Sequence, residues 1–216
     1  MFLDDSSMSL ILFNKPYQVM CQFSPHPTWK TLADYLDLPG VYPAGRLDAD
    51  SEGLLLLTDD GRLQHDISHP ERKQPKTYLA QVEGIPDRST LARLQAPLDL
   101  GDFTALPCEA AQVEAPEWIW DRDPPIRQRS NKPVSWLRLT LTEGKNRQVR
   151  RMTAAVGLPT LRLIRIAIGP FALATHPLFP GEWRQVSPAM LELPERNIAA
   201  AGHSASAANG HEERRR

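Results

Sequence analysis

Leu54, Leu55, Leu56 and Leu57 stand consecutively between Gly53 and the turn-forming run Thr58-Asp59-Asp60-Gly61. A short apolar run bounded by such punctuation reads as a strand buried in a core, here Gly53 to Thr58. Asp59-Asp60-Gly61 then supplies a turn and a cap for a helix from about Gly61 to Ser68. At 216 residues the chain is long enough to bury that strand in one large domain or two small ones.

The rest of the sequence supplies partners. Ser9 to Lys15 reads as a first strand, closed by Lys15-Pro16. Thr28 is placed to cap a short helix from Trp29 to Leu36, ended by Pro39-Gly40. Val41 to Asp50 reads as a strand that breaks into a loop, because Pro43 and Gly45 interrupt it. Lys76 to Gly84 alternates as a strand should, and Asp87 caps a helix to about Leu94. Glu109–Val113, Val134–Thr142 and Thr160–Ile168 are further strands, and Asn146 to Val156 is a helix. Between them Ala115 to Pro133 is a proline-broken loop carrying Trp118, Trp120, Arg127 and Arg129. Several connections are too short for parallel crossovers, which favours an α+β fold with a mixed, mostly antiparallel sheet. Residues 1–8 form a tail, and 195–216, rich in Ala, Ser, Gly and His, reads as a disordered one.

The charged fraction of 24% and hydrophobic fraction of 41% are those of a soluble globular protein. No run approaches the roughly 18 apolar residues of a membrane span, and Met1-Phe2-Leu3-Asp4-Asp5 begins no signal peptide. A cytoplasmic protein without a membrane partner is expected, with Cys21 and Cys108 as free thiols. The net charge of −1 hides an asymmetry. From Ile126 to Pro170 there are ten basic residues and one acid, Glu143. A basic region of this kind is either a solvated face or a polyanion-binding one.

Two constellations could carry chemistry. In Gly45–Gly61, Asp48, Asp50 and Glu52 occupy a loop anchored to the buried strand. Extended backbone would send all three carboxylates the same way, and a glycoside hydrolase using two of them is one reading. The spacing lacks the second Gly and the Lys-Ser/Thr of a phosphate loop. In Asn146–Val156, Val149, Met152 and Val156 form an apolar stripe opposite Arg147, Arg150 and Arg151. Three arginines on one face repel, so an anion should compensate them: a phosphate backbone or a buried carboxylate. In the next strand Leu163 and Arg165 share a face. His65 and His69 have the spacing of a metal pair but no third ligand, so no metal is expected.

These segments also resemble a known family. GRLDADSEGLLLLTDDG looks like the signature of the RsuA-type pseudouridine synthases. Asn14-Lys15-Pro16, with Val19 and Cys21, resembles their first motif, and Lys76-Thr77-Tyr78 their tyrosine-bearing strand. EGKNRQVRRM followed by LRLIRIAIG resembles their last motif. The resemblance runs in order from Leu10 to about Pro188, and Ser51 stands where Thr is commoner. Only about nine residues precede the first motif, so the S4 RNA-binding domain of many relatives is expected to be missing, which would be most like the branch acting on large-subunit ribosomal RNA.

The resemblance implies a domain over 9–194 whose two subdomains, about 9–73 and 74–194, flank a catalytic cleft. It implies that Asp48 acts at the target nucleotide, Tyr78 stacks on the uracil and Arg150 pairs with Asp48. Arg46 would contact the RNA and fill the space of the flipped base, and Leu163 would support the ring. Lys15, Arg147, Arg151 and Arg165 would be further RNA-binding residues. Uridine-to-pseudouridine isomerisation involves no redox step or group donor, so no cofactor is required. The partner implied is ribosomal RNA, bound by a monomer. Action on small-subunit RNA, or a non-catalytic RNA-binding role in ribosome assembly, are the alternatives.

Overall fold

The leucine run becomes a strand with no wet face. In the computed structural model, which describes residues 10–69, 74–126 and 132–191, every residue of Glu52–Thr58 is buried. Leu54 and Leu56 pack into one apolar cluster with Leu10, Leu12, Leu63 and Ile67. Leu55 and Leu57 pack into another with Ile11, Phe13, Leu32 and Val41. Alternate leucines thus enter cores on opposite faces, and neither face of the run meets water.

In chain order the strands are β1 (Leu10–Lys15), β2 (Val19–Met20), β3 (Lys30–Thr31), β4 (Tyr42–Pro43), β5 (Glu52–Thr58) and β6 (Lys76–Glu83). They continue with β7 (Leu98–Asp99), β8 (Thr104–Ala105), β9 (Glu109–Val113), β10 (Val134–Leu141), β11 (Thr160–Ile168), β12 (Phe171–Ala172) and β13 (Trp183–Val186). The helices are α1 (Gly61–Ser68), α2 (Arg88–Gln95) and α3 (Gln148–Ala155). The main sheet runs β13-β1-β5-β11-β6-β10-β9, with β4 beside β5 and β12 beside β11. Its pairings among the described residues are antiparallel except that of β5 with β11, which is parallel and pairs Ile164 with Glu52 and Arg165 with Gly53. This is the α+β, mixed and mostly antiparallel architecture expected.

The short β5–β11 contact divides the sheet. On one side β13, β1 and β5 carry α1; on the other a cluster including Val82, Leu94, Leu139, Val149 and Met152 joins β6, β10, α2 and α3. The outer strand of the first half is β13, from the end of the chain rather than from 9–73, because its backbone fills the open edge of β1.

Three local expectations differ. The helix over Trp29–Leu36 is instead β3 and a single 3₁₀ turn at Leu32–Asp34. Asp34 accepts from the Thr31 amide at 2.7 Å, so the cap sits at Thr31, while the Thr28 amide donates to the His26 ring. Helix α3 begins at Gln148, with Arg147 rather than Asn146 at its N-cap. The Gln148 side chain accepts from the Lys145 amide at 2.9 Å and donates to Glu143, closing the preceding loop on itself. The tails 1–8 and 195–216, with Arg127 and Arg129, lie outside the described residues.

Candidate active site

Residues 48–51 form a tight turn just before β5, with the Ser51 amide donating to the Asp48 carbonyl at 3.1 Å. Neighbours grip it from two sides. Just past β1, the Gln18 amide donates to the Ala49 carbonyl at 2.8 Å, and the Lys15 ammonium steadies that segment by donating to the carbonyls of Pro16 and Val19, both at 2.9 Å. From β11, Arg165 donates through Nε to the Leu54 carbonyl at 2.7 Å and through Nη1 to the Arg46 carbonyl at 3.4 Å. Gly53 makes this close approach possible. Its φ is +104°, and a β-carbon there would overlap the Arg165 carbonyl oxygen and sit 2.8 Å from the Arg165 amide nitrogen.

Asp48 projects from this turn into a cavity of about 530 Å³. Arg46, Tyr78, Arg147, Leu163 and Arg165 line the same cavity. Tyr78 stands directly opposite Arg165 across β6 and β11, and alternation along β11 puts Leu163 on that side as well. Asp48 keeps 40% of its side chain exposed. Lys76, two residues before Tyr78, also faces the cavity; burial and the nearby Arg165 charge push its ammonium below its ordinary value. The alternation Lys76–Tyr78 within one motif was the available signal for it.

The arginine face of α3 is compensated by carboxylates of the protein. Arg147 forks onto Asp50 at 3.2 and 2.8 Å and touches Asp48 with Nη1 at 3.5 Å. Arg150 was expected on Asp48, but its Nε lies 3.5 Å from Asp50 and its Nη2 donates to the Asp50 carbonyl at 2.6 Å. Helix geometry explains the exchange: Arg147, at the helix start, is the arginine that reaches the turn's far end. Burial raises the Asp50 carboxyl, but the Arg147 hydrogen bonds and the charges of Arg150 and Arg147 outweigh it and hold the group below its ordinary value. Arg151 is turned away, pairing with Asp102 and donating to the Leu100 carbonyl at 2.8 Å.

Lys15 is likewise misplaced as an RNA contact. It is fully buried with its ammonium on two backbone carbonyls, so it braces the 16–19 segment that lies against the turn. Nor do the three acids of the loop point together. Only Asp48 lines the cavity; Asp50 holds arginines, and Glu52 is buried in a two-point ion pair with Arg162, both contacts 2.9 Å. Trp120, from the proline-broken loop, donates to Glu52 at 2.8 Å. A hydrolase using two of these three loop acids therefore lacks its second carboxylate. The partners of Glu52 are 68 and 110 residues away, beyond what local spacing conveys.

Among the described residues no group of three His, Cys, Asp or Glu side chains is placed to hold a metal ion, and no helix is long and apolar enough to cross a membrane. Cys21 and Cys108 are free.

A turn-borne aspartate, a tyrosine and an apolar strand residue facing one cavity are what the sequence resemblance led us to expect. The family model for RNA pseudouridylate synthase matches residues 9–155, and the chain belongs to that family. It is 55% identical over 177 residues to a ribosomal large subunit pseudouridine synthase E of Xanthomonas campestris, covering 81% of this chain and 94% of that one. It is 47% identical to a protein of the same name from Vibrio parahaemolyticus, covering 85% and 76%. A crystal structure of a pseudouridylate synthase superposes with a TM-score of 0.68 at 28% identity, over 85% of this chain and 72% of that one. The protein is thus an RNA pseudouridine synthase.

Proposed function

We propose that this chain converts a uridine of large-subunit ribosomal RNA into pseudouridine, with Asp48 acting at a target nucleotide swung into the cavity. What supports this reading most is the convergence of Asp48, Tyr78 and Leu163 on one cavity of about 530 Å³, within the range of small-ligand sites and roomy enough for a single nucleotide. A base inside a helix cannot reach such a site, so the target is flipped out or already unpaired. In the reaction the C1′–N1 bond breaks and a C1′–C5 bond forms. N1 gains a proton and C5 loses one, so the balance closes without a cofactor.

Each side chain has a part in this reading. An ionised Asp48 meets the sugar, where a cation develops or a proton departs. Arg147 lies beside it, with Nη1 3.5 Å from the carboxylate. Tyr78 holds the detached uracil by its face while the base turns, and Leu163 supports it from the apolar side. Arg46 brings positive charge to the mouth of the cavity, suited to RNA phosphates, while buried Arg165 carries charge in its wall. The catalytic domain spans 9–194, its two halves meeting at β5 and β11.

The test is to map pseudouridines in both ribosomal RNAs of a strain lacking the gene, by carbodiimide modification and primer extension. One large-subunit site should disappear, return with the wild-type gene and stay absent with Asp48→Asn. Persistence of every site, or restoration by Asp48→Asn, would reject the reading. Loss of a small-subunit site would reassign the substrate.

A further inference from the structure

Asp50, two residues past Asp48 on the same turn, takes up most of the arginine charge that reaches it. Both terminal nitrogens of Arg147 contact its carboxylate, at 3.2 and 2.8 Å. Arg150 approaches it at 3.5 Å and fastens to its carbonyl. Asp48 receives one contact from the pair, Arg147 Nη1 at 3.5 Å. Asp50 itself does not line the cavity.

This arrangement constrains Arg147. Its side chain is 44% exposed and would otherwise sample many rotamers. A two-point fork fixes both the position and the plane of a guanidinium. Its backbone is also held in the left-handed region, φ 50°, with no side-chain cap on α3 to account for it. Fixed in this way, one nitrogen of Arg147 lies between two carboxylates. Without the Asp50 carboxylate, Arg147 would be free to turn fully onto Asp48, covering its oxygens and weakening it as a base or nucleophile, while Arg150 stays fastened to the main-chain carbonyl of residue 50.

We propose that Asp50 is a positioning residue for the isomerisation. Its carboxylate holds Arg147 with Nη1 beside Asp48 and stops that guanidinium from closing over it, leaving Asp48 available to the sugar. The proposal rests on Asp48 being the catalytic carboxylate.

The charged and titratable groups around the turn are Arg46 just before it, Lys15 from β1, Tyr17 beyond it, Glu52 on β5, Arg147 at the N-cap of α3, Arg150 on α3, and Arg165 on β11. Lys76 and Tyr78 of β6, with Glu143 and Lys145 before α3, face it across the cavity. All of these persist in an Asp50→Asn variant, so a change in its acid pH limb reports the lost Asp50 charge.

The experiment measures pseudouridine formation on large-subunit RNA purified from the deletion strain. Asp50→Asn should lower kcat about 10- to 100-fold, as misplacement of a catalytic group does. KM for RNA should change by less than about threefold, the mark of a loss confined to the reacting step. The acid limb of kcat/KM should move to lower pH, since two unneutralised arginines then act on Asp48. Asp50→Glu should recover part of the rate. Asp50→Asn with Arg147→Gln should be no slower than Arg147→Gln alone, because the two act as one unit.

Wild-type kcat in Asp50→Asn, an unmoved acid limb, or losses that multiply in the double variant would overturn the proposal. Should Asp50→Asn fail to fold, wild-type kcat in Arg147→Gln alone would overturn it. A wild-type protein inactive on every ribosomal RNA would instead sink the reading of Asp48, and this proposal with it.

Discussion

Glu52 and Arg162 form a buried two-point ion pair across β5 and β11, the strands that join the two halves of the sheet. Both residues are at most 5% exposed, and Trp120 supplies a third hydrogen bond to the carboxylate. Removing one partner strands the other as a buried charge. Glu52→Gln should therefore cost about 3–5 kcal/mol in urea unfolding, whereas replacing both with Glu52→Leu and Arg162→Met should cost about 1–2 kcal/mol or less. A single variant as stable as wild type would mean that water reaches the pair.

Gly53 makes the same junction possible from the backbone side. Gly53→Ala places a methyl group against the Arg165 main chain at a φ of +104°. Strain and overlap together should cost about 3 kcal/mol or more, and β5 must shift from β11, moving the Asp48 turn with it. A thermal melt of the variant checks this; an unchanged midpoint would show that the strands tolerate greater separation.

What the sequence conveyed, and what it concealed, follows the range of the interactions. The strands Glu109–Val113 and Thr160–Ile168 and the helix Gly61–Ser68 were readable to the residue, because period, caps and turn residues are local. Asp48, Tyr78 and Leu163 were readable as a set through their motifs, and the structure brings them to one cavity. The partners of Arg150, Glu52 and Lys15 were not. Arg150 and Glu52 are half-buried or buried charges whose counterparts come from a distant turn, strand or loop, and helical or strand spacing carries no record of such pairings; Lys15 instead turns back onto the nearby carbonyls of Pro16 and Val19, a placement set by its burial rather than by spacing. The helix expected over Trp29–Leu36 failed for a related reason: Lys30–Thr31 is drawn into pairing with β2, which shortens the helix to one turn.

Lys15 supplies a pH test of its own placement. Burial pushes its ammonium from an ordinary 10.5 down to about 8, against the raising pull of Cys21, Glu52 and Asp50. Between those values the unfolded chain holds a proton that the folded one has released, so stability rises with pH across that window. The stability of wild type relative to Lys15→Met should therefore improve from about pH 8 to above pH 10, measured by urea titration at each pH. A difference that stays flat would mean that Lys15 ionises as an exposed lysine does.

RNA binding should distinguish the arginines by what already neutralises them. Arg151 is paired with Asp102, donates to the Leu100 carbonyl and lies 4.8 Å from the centre of the Phe103 ring. Engaging a phosphate would require giving up those contacts, and the salt dependence of binding reflects only charge delivered anew to the backbone. Arg46 is exposed at the cavity, and its carbonyl accepts from Arg165 Nη1 at 3.4 Å. Arg46→Gln should reduce the slope of log affinity against log salt by about 1, while Arg151→Gln should leave it unchanged. Filter binding of large-subunit RNA over a series of salt concentrations measures both slopes. An equal reduction in the two variants would show that the Asp102 pair opens when RNA arrives, and that Arg151 then contacts phosphate.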